Sequence, residues 1–286
     1  MTVAGGGTGV AATSRVRLLH LSDIHCGRPF VAAHVKAAIA LAAELAVTAI
    51  VVAGDVTQRA RVPEFVHAAE ILRACAEVAP TVVVPGNHDT AWWHAPFGWG
   101  DPDRLHARYR AWITPELEPT LRLPGLSLIG LNSAAGMLPQ ALTWYPRDWR
   151  VKGGLTAAQL STARERVAAS PAGDLRVVVV HHNVLRGRLS RRWGLARPEA
   201  TLDALVATGA EVVCSGHDHE ERLEVVERPN GRLLVSTANT LSSRMRGHRP
   251  SAVTVIDADA TTIAATAWQF DRGVFVPGSI AATMRR

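Results

Sequence analysis

Cysteine and lysine are both scarce in this chain of 286 residues. Its cysteines are Cys26, Cys75 and Cys214, and no two of them form a Cys-x-x-Cys pair. This gives no support to a paired-cysteine site, and it suits reduced thiols in a cytoplasmic protein. Lys36 and Lys152 are the two lysines among 31 basic residues, so the net charge of +6 comes almost wholly from arginine. Biased composition, with arginine on solvated surfaces, explains that excess better than an anionic partner does.

Long apolar runs and nucleotide-binding glycine motifs are also missing. Residues 1–14 have neither a basic start nor an apolar run, so we expect a flexible tail and no export signal. The apolar stretch 31–53 is interrupted by charged residues and predicts a helix and a strand, not a membrane span. The turn at 22–25 has no Gly-x-Gly-x-x-Gly, and no Gly-x-x-x-x-Gly-Lys-Ser/Thr occurs. Dinucleotide and P-loop nucleotide binding are therefore unsupported.

Strand and helix patterns alternate over the first ninety residues. Apolar runs predict buried strands, and helical spacing predicts the connections between them: strands 15–22, 50–53 and 81–84, helices 31–46 and 63–75. This order implies a largely parallel sheet whose strands end at one edge. Asp23 to Asp55 and Asp55 to Asn87 are each 32 positions apart, about one β-α-β unit. The residues that follow these strands should therefore lie side by side.

The second half repeats this logic after an irregular stretch, 91–124. There the four tryptophans predict core packing beneath a long loop, or else a lid beside a site: Trp92, Trp93, Trp99 and Trp112. Further strands are predicted at 126–131, 177–180, 211–215, 223–227, 232–236, 253–257 and 263–268, and helices at 156–169 and 202–207. Residues 273–286 either cover a sheet or mediate dimerisation. We expect one domain over 15–286, and the oligomeric state is open.

Five short polar segments follow predicted strands, and they carry the chemistry. They read Asp23-Ile24-His25, Gly54-Asp55, Gly86-Asn87-His88-Asp89, His181-His182 and Gly216-His217-Asp218-His219. Carboxylate, imidazole and amide ligands suit a pair of borderline divalent cations. Paired cations bind water as hydroxide near neutral pH and clamp the attacking and leaving oxygens of a phosphate ester. The sequence therefore predicts a two-metal site for cutting phosphate esters.

Each predicted ion takes four ligands, with one carboxylate shared. In an extended segment, residues two positions apart point to the same side, which would bring Asp23 and His25 to one ion. The Asp55 carboxylate has two oxygens and can bridge both ions. The first ion is assigned to Asp23, His25, Asp55 and His219, and the second to Asp55, Asn87, His181 and His217.

Other polar residues near these segments are predicted to act on the substrate. His88 is interpreted as an unligated imidazole that stabilises or protonates the departing oxygen, with Asp89 orienting it. His182 points away from its neighbour His181, which is the preferred metal ligand, and is assigned to substrate binding. Arginines that follow ligand segments could pair with phosphate: Arg28, Arg59 and Arg61.

In this order the five segments resemble the calcineurin-like metallophosphoesterase superfamily. The match runs from Asp23 to His219 with every ligand position filled, and the segment after Gly54 resembles small bacterial members near the class III cyclic-nucleotide phosphodiesterases. The resemblance implies a four-layered α/β/β/α sandwich with two mixed sheets, and Mn, Fe or Zn as metals. Cyclic-nucleotide members continue the histidine pair with two prolines, whereas this chain continues with Asn183-Val184. That departure concerns the substrate loop and not the metal ligands.

Three other functions compete with a phosphodiesterase that acts on a small phosphate ester such as a cyclic nucleotide. A phosphomonoesterase or a nuclease would use the same two ions. A nuclease needs a basic track with stacking aromatic residues, and no basic stripe lies beside the tryptophans, so nucleic acid is less favoured. A non-catalytic scaffold should have lost ligands, and this chain keeps them all.

Overall fold

The computed structural model describes residues 15–91, 102–134, 152–247 and 249–286. Within them the strands are β1 Val16–Leu21, β2 Ala49–Val52, β3 Thr81–Val83, β4 Thr120–Leu123, β5 Leu126–Gly130, β6 Leu175–Val179, β7 Val212–Ser215, β8 Arg222–Arg228, β9 Gly231–Thr237, β10 Ala252–Ala258, β11 Thr262–Asp271 and β12 Val274–Arg285. The helices are α1 Ala32–Glu44, α2 Val62–Val78, α3 Pro102–Leu105, α4 Ala107–Trp112, α5 Ala157–Ala168 and α6 Pro198–Ala207.

The strands form two mixed sheets of six strands each. The first sheet has the order β12-β11-β10-β1-β2-β3, and the second has the order β4-β5-β6-β7-β9-β8. Parallel pairing joins β1, β2 and β3 in the first sheet and β5, β6, β7 and β9 in the second. The remaining pairs are antiparallel. Parallel strands therefore form the centre of the second sheet and one side of the first, which ends at the edge strand β3. Both parallel blocks agree with the strand–helix alternation.

Apolar side chains on both faces of the strands build four layers. On β1, Leu18 packs between the two sheets, and Leu19 packs toward α1 and α2. On β5, Leu128 faces the gap between the sheets, and Ile129 packs with the core beneath α5 and α6. Successive strand residues point to opposite faces, so a strand that is apolar throughout contributes to two cores. The predicted α/β/β/α sandwich is confirmed.

Several local predictions are confirmed by the same geometry. Pro63 lies in the first turn of α2. The Thr156 hydroxyl caps α5 by accepting a hydrogen bond of 3.1 Å from the backbone N–H of Gln159. The turn between β8 and β9 joins antiparallel strands, with Arg228 opposite Gly231.

Other local predictions need correction or lie outside the described residues. The stretch 91–124 is less irregular than its composition indicates, because it contains α3, α4 and β4. Trp112 is 44% exposed, so core packing is wrong for this residue. Trp92, Trp93, Trp99 and the predicted tail 1–14 lie outside the described residues. Residues Val274–Arg285 form the edge strand β12, which extends the first sheet instead of covering it.

Candidate metal centre

The five predicted segments meet where parallel strands of the two sheets end. Asp23, Asp55 and Asn87 follow β1, β2 and β3, while His181 and His217 follow β6 and β7. Because neighbouring parallel strands end at the same edge, three segments come together in one sheet and two in the other. The site therefore spans both sheets.

The first group of ligands consists of one carboxylate and two imidazoles. The Nε2 atom of His219 lies 3.0 Å from Asp23 Oδ1 and 3.1 Å from the Nε2 atom of His25. The Nε2 atom of His25 lies 3.5 Å from the same carboxylate oxygen. These three side chains are buried. Their donor atoms converge closely enough to hold one metal ion.

The second group of ligands consists of one amide and two imidazoles. The Asn87 Oδ1 atom lies 2.9 Å from His217 Nδ1 and 3.2 Å from His181 Nε2. The two imidazole nitrogens are 3.3 Å apart. His217 therefore faces the centre with Nδ1, whereas His181 faces it with Nε2.

Asp55 lies between the two groups. Its Oδ2 atom is 3.9 Å from His25 Nε2 and 3.3 Å from His181 Nε2. Its Oδ1 atom accepts a hydrogen bond of 2.8 Å from the backbone N–H of His88, which fixes the carboxylate. All seven predicted ligands are thus brought together, with Asp55 in the shared position.

Hydrogen bonds on the outer side of the imidazoles set their tautomers. His181 Nδ1 lies 2.7 Å from the carbonyl oxygen of Ala53, and His219 Nδ1 lies 2.8 Å from that of Arg244. A carbonyl oxygen can only accept, so both Nδ1 atoms carry the proton. The Nε2 lone pairs of His181 and His219 then face the centre, as metal ligation requires.

One buried carboxylate oxygen supports the fit of the site to a cation. Asp23 Oδ2 accepts hydrogen bonds from the hydroxyl of Ser22 at 2.6 Å and from the backbone N–H of His217 at 2.9 Å. Asp23 Oδ1 is buried and accepts no hydrogen bond from the described residues, although His219 Nε2 is close. A carboxylate oxygen facing imidazole lone pairs is costly unless a cation lies between them. The donor set therefore fits divalent metal ions.

The pKa values of these residues follow from the same arrangement. Burial lowers the pKa of His25 to about 4 and, together with the charge of His181, that of His217 to about 3. Burial opposes ionisation of Asp55, but the charges of His181 and His88 hold its pKa below the ordinary value. Burial opposes protonation of His181 too, yet the Asp55 charge raises its pKa to about 9. Without a metal ion, His181 therefore also carries a proton on Nε2, and a bound cation would displace that proton and free the lone pair. The carboxylates stabilise positive charge at the centre in either state.

The backbone at the ligands differs from the extended form that was expected. Asp23 has a φ of 56° and His25 a φ of 49°, both in the left-handed region. Asp55, His217 and His219 are also left-handed, with φ between 52° and 70°. The side chains of these five ligands converge because the chain turns sharply at each of them, and not because residues alternate along an extended strand. Strained positions of this kind persist at functional sites because the surrounding structure holds them.

Two motif glycines are required by close approach. A Cβ atom on Gly86 would lie 2.1 Å from Asp55 Oδ1, and one on Gly216 would lie 1.8 Å from the hydroxyl oxygen of Ser22. Any side chain at either position would displace a residue that holds the site. The glycines before Asn87 and His217 thus serve packing of the ligand loops.

His88 lies beside the first ligand group and is half-buried. Its side chain is within 4.8 Å of the ligand atoms of His25 and Asp55. Its Nδ1 atom lies 2.7 Å from the backbone oxygen of Gln58, so this nitrogen carries the proton and Nε2 faces the cleft. The predicted contact with Asp89 is therefore absent.

Asp89 instead holds two ligand loops together. Its carboxylate accepts hydrogen bonds from the backbone N–H groups of Gly86, Val56 and Thr57 at 2.9, 3.2 and 2.8 Å, and from the Thr57 hydroxyl at 2.9 Å. Burial and the charge of Asp55 raise its pKa to about 7. The interpretation of Asp89 as the partner that orients His88 is corrected: the turn at Asn87–Asp89 directs its carboxylate inward.

His182 packs behind the second ligand group. Its Nδ1 atom lies 2.8 Å from the Ser133 hydroxyl, and its ring centre is 4.6 Å from that of His217. It is 1% exposed and does not line the cleft over the ligands. The structure thus places His182 in the wall of the site, and its assignment to substrate binding stays a prediction.

A cleft of about 360 Å³ opens over the ligands, and we call it the metal cleft. Its described lining combines ligands with three arginines and two other residues: Asp55, Asn87, His88, Arg192, His217, His219, Arg244, Met245 and Arg246. These three arginines could not be recognised as site residues in the sequence, because they lie in segments that match no motif. Arg244 is the nearest to the chemistry, with Nη1 3.3 Å from His88 Nε2.

The predicted arginines lie in a second, adjacent cleft. This cleft, called here the arginine cleft, has a volume of about 700 Å³. Its described lining is Gly27, Arg28, Pro29, Gln58, Arg59, Arg61, Glu64, Ser243 and Arg244. Arg244 belongs to both clefts, so the arginine cleft adjoins the metal centre without touching the ligands.

A sequence model of the calcineurin-like phosphoesterases matches residues 16–221, which include all seven predicted ligands. The chain belongs to the calcineurin-like phosphoesterase family. Members of this family are metal-dependent phosphoric ester hydrolases that use two divalent ions, in accord with the two ligand groups. A search of curated protein sequences finds no significant match.

Solved structures share the fold at low sequence identity. A purple acid phosphatase from yellow lupin (Lupinus luteus) is 10% identical with a TM-score of 0.69, and the match covers 96% of this chain and 54% of the lupin chain. A dimetal phosphatase from Danio rerio is 14% identical with a TM-score of 0.63, and the match covers 94% and 98%. This chain thus spans about half the length of the lupin enzyme. At these identities the likeness establishes the fold alone.

Helix lengths bear on the expected absence of a membrane span. The longest helix in the described parts of the chain, α2, has 17 residues. No helix there is both long and apolar enough to cross a bilayer.

Proposed function

We propose that this protein is a phosphodiesterase that hydrolyses a small phosphate ester, with a cyclic nucleotide as the first candidate substrate. The observation that carries the proposal is the pair of ligand groups joined by Asp55 Oδ2, which lies 3.9 Å from His25 Nε2 and 3.3 Å from His181 Nε2. Divalent cations held there would polarise the phosphoryl oxygens and lower the pKa of a water. Mn, Fe and Zn all suit this donor set.

Residues of the chain would position the metal ions and the phosphoryl group, and one of them would move a proton. Asp23 and Asp55 each fix one carboxylate oxygen by hydrogen bonds and turn the other toward the centre. His88 presents Nε2 to the metal cleft because its Nδ1 proton is held by the Gln58 carbonyl. When protonated at Nε2, His88 would donate that proton to the departing oxygen. The Arg244 guanidinium, 3.3 Å from the same nitrogen, would attract a phosphoryl oxygen there.

We prefer a phosphodiester as the substrate because of the space beside the metal ligands. The metal cleft and the arginine cleft meet at Arg244, so an organic group can extend away from each side of a bound phosphoryl. Cleft volumes of about 360 and 700 Å³ lie in the range of small-molecule sites. This space suits a nucleotide-sized ester.

Turnover of a substrate panel tests the proposal. Protein loaded with Mn²⁺ is assayed with bis(4-nitrophenyl) phosphate, 4-nitrophenyl phosphate, cyclic AMP and a single-stranded oligonucleotide. We expect bis(4-nitrophenyl) phosphate and cyclic AMP to react faster than 4-nitrophenyl phosphate and the oligonucleotide. Faster reaction of the monoester would identify a phosphomonoesterase, and that of the oligonucleotide a nuclease.

Variants decide whether the metal centre is responsible. Asn87→Ala and His88→Asn should each lower diester turnover by about 100-fold, since one loses a ligand and the other the proton donor. His67→Asn is the control, because His67 lies on α2 and contacts the ring of Phe30 instead of the site. Unchanged turnover in both site variants would refute the proposed function and leave a non-catalytic scaffold.

A further inference from the structure

The arginine cleft lies beside His88, the residue that would protonate the departing oxygen in the proposed function. The Gln58 backbone oxygen holds the His88 ring at 2.7 Å, and its side-chain oxygen accepts a hydrogen bond of 3.4 Å from Arg244 Nη1. Gln58 and Arg244 both line the arginine cleft. An organic group leaving past His88 would therefore enter this cleft.

The arginine cleft collects several guanidinium groups with little opposing charge. Some arginines elsewhere pair closely with carboxylates, as in Arg17–Asp257 at 2.8 Å, Arg222–Glu224 at 2.6 Å and Arg286–Glu211 at 2.7 Å. Across the described ranges, no carboxylate lies within ion-pair distance of Arg28, Arg61 or Arg244. These exposed guanidiniums are therefore available to an anion from solution.

The single carboxylate of the arginine cleft is already engaged. Glu64 Oε2 accepts hydrogen bonds from the backbone N–H groups of Arg59 and Arg61 at 2.7 and 3.3 Å. These bonds cap the start of α2 and fix the loop that carries both arginines. Glu64 thus shapes the cleft, and the guanidiniums of Arg28, Arg61 and Arg244 outweigh its one negative charge. Guanidinium groups bind carboxylate and phosphate through paired hydrogen bonds.

We propose that the arginine cleft is a subsite for a second anionic group of the substrate. The substrate would then be a phosphate ester whose leaving group carries a carboxylate or a further phosphate. This inference rests on the proposed function, and it narrows the substrate class. Among cyclic nucleotides it favours those with a second phosphate, because a cyclic mononucleotide carries one anionic group only. Arg244 bridges the scissile phosphoryl and the leaving group, while Arg28 and Arg61 recognise the second charge.

Matched esters test the subsite in the intact, metal-loaded protein. The probes are 4-carboxyphenyl, 4-phosphonophenyl and 4-carbamoylphenyl phosphate and their methyl diesters, which differ in charge far from the reacting atom. We expect kcat/KM for the charged esters to exceed that for the carbamoyl ester by about tenfold. A larger excess for the phosphono ester than for the carboxy ester would identify a second phosphate as the natural group. Added KCl should reduce the preference, because exposed charges are screened.

Variants show which residues cause the preference for charged esters. In the double variant Arg28→Gln with Arg61→Gln, the ratio of charged to carbamoyl ester should fall to about two or less, since two of those three guanidiniums are removed. Arg73→Gln is the matched control, because Arg73 is an exposed arginine on α2, well beyond the cleft. It should leave the ratio at the wild-type value.

The outcomes separate the two proposals. Turnover of all esters with equal kcat/KM, or a preference that persists in the double variant and in high salt, would overturn the subsite and leave the phosphoesterase intact. Absence of turnover for every ester would refute the proposed function, and the subsite with it.

Discussion

Replacement of Asp89 by alanine tests its corrected role as the link between two ligand loops. The buried carboxylate accepts hydrogen bonds from the backbone N–H groups of Gly86, Val56 and Thr57 and from the Thr57 hydroxyl. Alanine would leave three buried N–H groups without an acceptor. If Asp89 acted through His88 instead, the change would affect turnover and spare stability.

The expected loss of stability in Asp89→Ala follows from these hydrogen bonds. A buried donor that loses its acceptor costs about 1–3 kcal/mol, and removal of a buried carboxyl relieves part of that cost, so we expect a loss of about 3 kcal/mol. For a chain of this size such a loss lowers Tm by roughly 6 °C. Asp89→Asn should cost about 2 kcal/mol, because its amide oxygen keeps the bonds from Thr57 while its NH₂ group faces two other donors.

Thermal unfolding of metal-free protein, prepared with a chelator, is the assay, because it removes any contribution from bound ions. Asp271→Ala serves as the control, since the Asp271 side chain is 61% exposed and its one ion pair is long at 3.9 Å. The control should unfold within about 1 °C of the wild type. A wild-type Tm for Asp89→Ala, together with a large loss of turnover, would refute this account of Asp89.

Three further predictions follow from single contacts. His88→Asn should lower kcat about 100-fold while elemental analysis finds the wild-type metal content, and metal loss would place His88 among the ligands instead. Gly86→Ala should lower metal content in the same analysis, because its Cβ would lie 2.1 Å from Asp55 Oδ1, and normal loading would contradict the close approach. Arg286→Ala should reduce stability by about 2 kcal/mol at pH 7, measured by urea unfolding, because Arg286 holds Glu211 through two hydrogen bonds of 2.7 and 3.0 Å. Burial raises the pKa of Glu211, but the hydrogen bonds and charges of Arg286 and Arg176 together hold it below its ordinary value. This stabilisation is therefore present above pH 4.5 and should fade at lower pH, and a difference that does not shrink as the pH falls would contradict it.

The central strands and the ligand set could be predicted because both depend on local sequence. A run of apolar residues must be buried on both faces, and β-α-β crossovers then bring strand ends to one edge. Asp23, Asp55 and Asn87 follow such strands at equal intervals of 32 positions, so their meeting needs no knowledge of other contacts. The histidines of the second sheet follow the same rule.

The contacts that could not be predicted depend on backbone twist and on distant segments. Asp89 is next to His88 in the sequence, yet the short helical turn at Asn87–Asp89 directs its carboxylate to Thr57. The left-handed backbone conformation at Asp23 could not be predicted from the type of residue, because this conformation favours glycine and not aspartate. Arg244 reaches His88 from a loop after β9, 156 positions along the chain and outside every motif.

The number of bound metal ions and the magnetic coupling between them test the central claim most directly. Protein stripped with a chelator and titrated with Mn²⁺ should bind two ions per chain and show the electron paramagnetic resonance of a spin-coupled pair. His219→Ala, which removes a ligand of the first group, should bind one ion and give the spectrum of isolated Mn²⁺. Binding of fewer than two ions by the wild type, or two uncoupled ions, would contradict a paired centre bridged by Asp55.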